Sequence, residues 1–366
     1  MKLNYIDVLR GLAILGVLMV HCAQYGNNEF LPLTLVNIFG NGANGVQLFY
    51  IASSFTLFLS MNRRYESEKY PKINFFIRRF FRIAPLYYIG ICYYLWQDGL
   101  GGRYWLGDQS HITNWNILSN IFFVHGFNPY WINSLVPGGW SIAVEMLFYC
   151  CVPLLFVKIK NTNQAYIFVL ATLVFRYALD LFFHKMQLSG SDRLWNEYLF
   201  FYFPSQLPIF ALGILFYYIV TNDYVLKISP ILTLITSMVI ILHLVGFSLL
   251  PSHFLFGIAF VLLGIATSKT KFKILDNPIL IYIGKISYSI YLVHFAVLYW
   301  LTKINFVDYI NPSNAFSALL NYGVRFLVLI ILSVFISAIS YRCIEVPVQN
   351  LGRKVISKIN KTGLLS

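Results

Sequence analysis

Ten predominantly apolar stretches constrain this chain more than any other feature. They lie at about 6–25, 43–61, 82–97, 139–157, 164–183, 200–220, 229–249, 252–268, 285–303 and 319–341. A helix needs roughly 20 such residues to cross about 30 Å of hydrocarbon. Over 366 residues, 58% are hydrophobic and 11% charged, too few charges to cover a soluble protein of this length. Disorder, collagen and coiled coil are excluded by the same figures. The sequence therefore predicts an all-α polytopic membrane protein of about ten transmembrane helices. The apolar run Ile117–Val124 is short and reads as a re-entrant or interfacial piece.

Lys and Arg set the orientation. With the N-terminus in the cytoplasm, 21 of the 27 basic residues fall on the inner side, and Arg103, Lys185, Arg193 and Lys303 fall outside. Arg176 and Arg325 lie within spans. Both the N- and C-termini are then cytoplasmic, the transmembrane domain covers 1–348, and 349–366 is a short basic tail. The net charge of +13 is explained by this topology, so no nucleic-acid partner is implied. The first span carries Arg10 and no good cleavage site follows it, which argues against a removed signal peptide. Five cysteines, mostly in apolar runs, form neither a disulfide framework nor a metal-binding spacing. No metal site is expected.

Ionisable groups inside a span are costly unless a partner or a polar cavity receives them. His21, Glu145, Arg176 and Arg325 all fall roughly 6–11 Å below the outer surface at 1.5 Å per residue. They suggest a buried polar chamber open to the outside. Each also has a plainer reading: His21 as a core histidine, Arg176 paired with Asp180 four residues on, and Arg325 snorkelling to headgroups. Glu145 has no basic neighbour on its own helix. Arg10 and His21 are eleven residues apart, within about 20° of three full turns, so they share one helix face about 16 Å apart. That suits a ligand entering from inside and reacting near the outside, although Arg10 also reads as a positive-inside anchor.

Six segments, in order, carry a resemblance. They are Leu3–Ala13 with Arg10 followed by His21; Gly45–Phe55; Phe76–Tyr88 with Arg79, Arg82 and Pro85; Gly139–Tyr149 with Trp140, Ser141 and Glu145; Ile286–His294; and Tyr341–Pro347 with Glu345. Together they resemble membrane-bound acyltransferase family 3, integral-membrane enzymes that O-acylate sugars. The resemblance runs from residue 3 to about 348. Ser54 departs from the family's usual Gly, and Met146 replaces a second Glu, leaving Glu145 as the single carboxylate of its segment.

The resemblance implies an acyl-CoA donor, acetyl-CoA first among them, as cytoplasmic co-substrate with no bound cofactor. It implies as acceptor a sugar hydroxyl of a cell-surface polysaccharide, such as an O-antigen, or of its lipid-linked precursor. The home is then a bacterial inner membrane. No hydrolase-like extracellular domain follows the spans, so a separate extracytoplasmic partner is one way to complete the transfer. His21 is the candidate general base, because imidazole titrates near neutrality, and Glu145 the group that orients it. Arg10, Arg79 and Arg82 are candidates for the coenzyme's phosphates and pantetheine arm. Arg325, Tyr288, Ser141 and Arg176 are candidates for the oxyanion or acceptor site. His294 ranks below them, as a structural or channel-lining residue. Trp105, Trp115, Trp131 and Trp140 offer either sugar stacking or, preferably, an interfacial belt. The rival class is a transporter or flippase of a lipid-linked sugar or acyl group, which often shows internal repeats not seen here.

Overall fold

The computed structural model describes residues 3–183, 185, 186, 188–221, 230, 231, 234, 237, 238, 241 and 251–362. All regular structure among them is helical. Six helical stretches are long and apolar enough to cross a membrane: Asn4–Cys22, Gly139–Lys158, Thr162–Phe183, Asp192–Thr221, Ser252–Lys269 and Ala315–Lys361. A seventh arises if the pair Pro278–Lys285 and Ser287–Lys303, bent by 80°, is one broken span. The expected stretches at 43–61 and 82–97 are helical but sit in helices diluted by polar and basic side chains. The stretch at 229–249 lies largely outside the described residues.

The chain divides into two compact units. The first comprises residues 1–52 and 219–341. Its central helix is α1 (Asn4–Cys22), which has Asp7 in its first turn, where a negative charge favours the helix dipole. After it come α2 (Leu33–Gly40) and the start of α3 (Gly45–Arg64). Leu9, Ala13 and Ile14 of α1 have no exposure at all. The tightest approach is to a later helix: a Cβ on Gly284 would collide with the backbone of Asp7, and one on Gly11 with Leu280. Glycine at these positions lets two backbones touch.

The second unit comprises residues 53–218 and 342–366. It contains the rest of α3, then α4 (Pro71–Asp98), α5 (Asn114–Ile121), α6 (Gly139–Lys158), α7 (Thr162–Phe183), α8 (Asp192–Phe201) and most of α9 (Phe203–Thr221). Proline in the first turn starts α4 eleven residues before the apolar stretch at 82. Arg78, Arg79 and Arg82 are consequently helical rather than part of a loop. The short helix α5 has eight residues, with its first turn capped by Thr113, and is too short to span. Gly138, with φ of 74°, turns the chain into α6. Most of α7 is exposed, as befits a helix facing lipid.

The first unit resumes with α10 (Ser252–Lys269), α11 (Pro278–Lys285), α12 (Ser287–Lys303) and α13 (Ala315–Ser340). Asn277 caps α11 by accepting from the Leu280 N–H at 2.8 Å, with Pro278 as the first helical residue. An Asn314–Ser317 capping box begins α13. A π turn at Tyr341–Glu345 then leads into α14 (Val346–Thr362) of the second unit. Residues 349–362 are thus a helix lying along α4: Gly352 sits against Phe81, and Asn74 donates to Asn360 at 3.3 Å.

Candidate active site

His21 occupies the last turn of α1. Its Nδ1 lies 2.9 Å from Gln24 Oε1, so Nδ1 carries the proton and Nε2 presents a lone pair. The ring packs on Phe295 at 4.4 Å between centroids and on His294 at 5.3 Å. His294 is fully buried, and its Nδ1 reaches the Ile290 carbonyl at 3.2 Å one turn back on α12. Gln24, exposed just past the helix, carried no sequence signal beyond its three-residue spacing from His21.

Arg325 is in the same unit and has no exposed surface. Its Nη1 donates to Asp308 Oδ1 at 3.0 Å and to the Val307 carbonyl at 3.2 Å. Its Nη2 donates to Asn28 Oδ1 at 2.8 Å. Asp308 also accepts from the Asn27 backbone and from Asn321. Gly26, at φ of 71°, leaves room that Arg325 fills. The guanidinium therefore staples the loop after α1 to the loop before α13. Arg10 lies 3.7 Å from Asp7 on the same helix, and α1 runs unbroken from Arg10 to His21. Tyr288 sits in the first turn of α12, just past the bend.

Glu145 belongs to the second unit, midway along the first half of α6. Ser53 Oγ donates to it, and Tyr149, one turn on, also hydrogen-bonds it. The Tyr149 ring carries Arg79 over its face at 5.9 Å. A row of contacts thus leads from Ser53 through Glu145 and Tyr149 to Arg79. Arg79 opens in turn onto a cavity of about 380 Å³ lined by Arg64, Arg78, Arg82 and Arg353 as well. The lining side chains include one carboxylate, Glu68, held by both terminal nitrogens of Arg78 at 2.8 and 3.0 Å. Arg64 stands beyond the apolar stretch of α3. Burial, followed by the charge of Arg78, lowers its guanidinium from the usual value. Crowded cations of this kind fit a polyanion. The sequence motif drew attention to Arg79 and Arg82. Arg64 and Arg353, from distant segments, were visible only as anchoring charges.

Other candidates have local partners. Arg176 lies 3.4 Å from Asp180 one turn on, and Asp180 accepts from Tyr202. Ser141 Oγ donates to the Gly138 carbonyl at 3.0 Å at the start of α6. Trp140 and Trp105 pack on Phe201, whereas Trp115 is 71% exposed. Beside them, His125 is fully buried with Nε2 3.0 Å from the Gly139 carbonyl and 3.2 Å from the Tyr87 hydroxyl. Burial pushes its imidazole down to about 4.

Comparison with known proteins supplies the family context. An acyltransferase domain model matches residues 3–342. A protein of Staphylococcus aureus strain COL, provisionally named an O-acetyltransferase, is 24% identical over 97% of this chain and 59% of its own length. The O-acetyltransferase OatA of Staphylococcus aureus strain NCTC 8325 is 23% identical over 97% of this chain and 58% of its own. The chain thus spans rather less than two thirds of the curated relatives it matches. No solved structure matches it.

Proposed function

Because the chain belongs to acyltransferase family 3, we propose that it is an integral-membrane O-acyltransferase. It moves an acyl group, acetyl in the first instance, from cytoplasmic acyl-CoA to a sugar hydroxyl of a cell-surface polysaccharide or its lipid-linked precursor. The names of its O-acetyltransferase relatives favour acetyl. Ten spans with both ends in the cytoplasm of a bacterial inner membrane complete the reading, supported by the distribution of Lys and Arg.

The observation that carries the proposal is the state of His21: Nδ1 is engaged by Gln24, which leaves Nε2 as a base of fixed tautomer. Moving a sugar without bond formation has no need of such a base. In the reaction, Nε2 takes the proton from the acceptor hydroxyl as its oxygen bonds the thioester carbon. The C–S bond then breaks with its electron pair, and the proton passes from His21 to the departing thiolate. The products are the ester and free CoA.

The roles of the second unit follow from charge. Acyl-CoA carries a diphosphate and a 3′-phosphate, and the cavity of Arg64, Arg78, Arg79, Arg82 and Arg353 has the matching sign. Glu145, fixed by Ser53 and Tyr149 within the second unit, stays a catalytic candidate. Tyr288 and Ser141 stay as oxyanion or acceptor-site candidates, and Arg10 as a ligand for the pantetheine arm. Arg325 and Arg176 act by holding their own elements in place. A separate extracytoplasmic protein is a candidate partner for delivery to the final glycan.

The test compares wild type, His21→Ala and a deletion strain at equal membrane levels, with ester-linked acetate on surface glycans quantified. Acetate should fall to the deletion background in His21→Ala, a loss on the order of 10²–10⁴ in rate. Acetate unchanged by deletion of the whole chain would overturn the assignment.

A further inference from the structure

We propose that His294 is a positioning residue for His21, holding a fixed, neutral imidazole beside it that stabilises the imidazolium formed when His21 takes the acceptor's proton. The proposal rests on the acyl-transfer reading above. It starts from an oddity of the first unit: His294 is fully buried, and its Nε2 has no hydrogen-bond partner. A buried polar atom without a partner is costly, and native structures contain few.

The tautomer follows from the surroundings. The Ile290 carbonyl can only accept, so Nδ1 of His294 carries the proton and Nε2 is a bare lone pair. The hydrogen bond to the helix backbone also fixes the direction of the ring dipole. His21 lies against this ring, 5.3 Å between centroids at a tilt of 35°, and Phe295 closes on both rings at 4.4 and 4.1 Å. Among titratable groups on the helices packed against α12, Cys22, Tyr322 and Arg325 interact with one another. Tyr291, on α12 itself, places its ring 5.8 Å from His294.

A neutral imidazole with a pinned N–H is a preorganised dipole in water-poor surroundings, and such dipoles act most strongly on charge that appears during the reaction. Before proton transfer both rings are neutral and the lone pair of His294 is idle. After it, His21 is a cation in contact with that ring. His294 itself gains and loses no proton: the proton travels from hydroxyl to His21 Nε2 to thiolate sulfur.

Two amide substitutions separate this role from packing. His294→Asn keeps an N–H near the position of Nδ1 but has no atom at Nε2. His294→Gln can place an acceptor at the Nε2 position. Transfer of labelled acetyl from acetyl-CoA is followed in native membranes of the full chain at equal protein level, with His21→Ala alongside. We expect His294→Asn to lower kcat about 10- to 100-fold, as for loss of a hydrogen bond to a charged group, with KM for acetyl-CoA within about twofold. His294→Gln should recover part of the loss. Wild-type kcat in His294→Asn, or equal loss in both variants, would overturn the proposal. Full activity in His21→Ala would instead overturn the acyl-transfer reading on which it stands. The unsubstituted protein provides a further check free of any folding defect. Ring ¹⁵N spectra should show His294 protonated at Nδ1 and bare at Nε2, and the opposite tautomer refutes the assignment.

Discussion

The two units handle positive charge in opposite ways. In the first, Arg325 is sealed from solvent and its terminal nitrogens meet Asp308, Val307 and Asn28, contributed by loops at both ends of the network. In the second, five arginines line one cavity that offers a single carboxylate. A cation whose two terminal nitrogens are both held by acceptors is a fastening of the fold, whereas cations in excess of their counter-charge leave capacity for a ligand. Both arginine types look alike in sequence. What separates them is the number of acceptors that distant residues bring.

The largest expected effect tests the fastening. Arg325→Ala removes the guanidinium that holds Asp308, Val307 and Asn28 and should cost on the order of 3 kcal/mol of stability, the loss of several hydrogen bonds from a charged donor. Thermal unfolding in detergent or nanodiscs measures it. An unchanged midpoint would place Arg325 with the ligand-binding arginines instead.

Next comes the buried histidine of the second unit. The His125 imidazole titrates at about 4 in the fold against 6.5 ordinarily, so the unfolded chain binds its proton first. Stability from this group is present above pH 6.5 and is lost as pH falls from about 6.5 to about 4, up to about 3 kcal/mol in all. Unfolding midpoints of wild type and His125→Gln should therefore converge toward pH 4, and parallel curves would refute the assignment.

Arg82→Ala probes the other side of the comparison. The folded state should survive while KM for acetyl-CoA rises about 10- to 30-fold, the loss of one charge-assisted contact. A drop in unfolding temperature as large as that of Arg325→Ala would erase the distinction between the two units. The smallest effect belongs to Gln24→Ala, which frees the His21 ring to change tautomer. It should lower kcat about 5- to 10-fold, roughly one neutral hydrogen bond, and leave KM alone.

Much of this was legible in the chain because the signals are local. Apolar length announced the helices, and short motifs singled out His21, Glu145 and Arg79. The i to i+4 spacing also anticipated the Arg176–Asp180 pair. Other features were out of reach because they depend on tertiary contact. Asp308 is an unremarked loop acid until Arg325 arrives from 17 residues away. Ser53 meets Glu145 across 92 residues. The bend of 80° at Ile286 has no proline to signal it, only backbone contact between Gly284 and α1. His294 reads in sequence as a structural or channel-lining residue, because a lone pair left without a donor is invisible before the ring is packed.

The placement of α14 bears on how the protein is made. Arg64, Arg78, Arg79 and Arg82 leave the ribosome long before Gln349 and Arg353, yet all line one cavity. Until the last helix docks against α4, the nascent second unit has the positive charge but lacks one wall of its enclosure. Its assembly is therefore non-local in time as well as in sequence, a slow kind of contact to close. A chain halted before residue 349 would carry His21 and Glu145 and still have no finished arginine chamber.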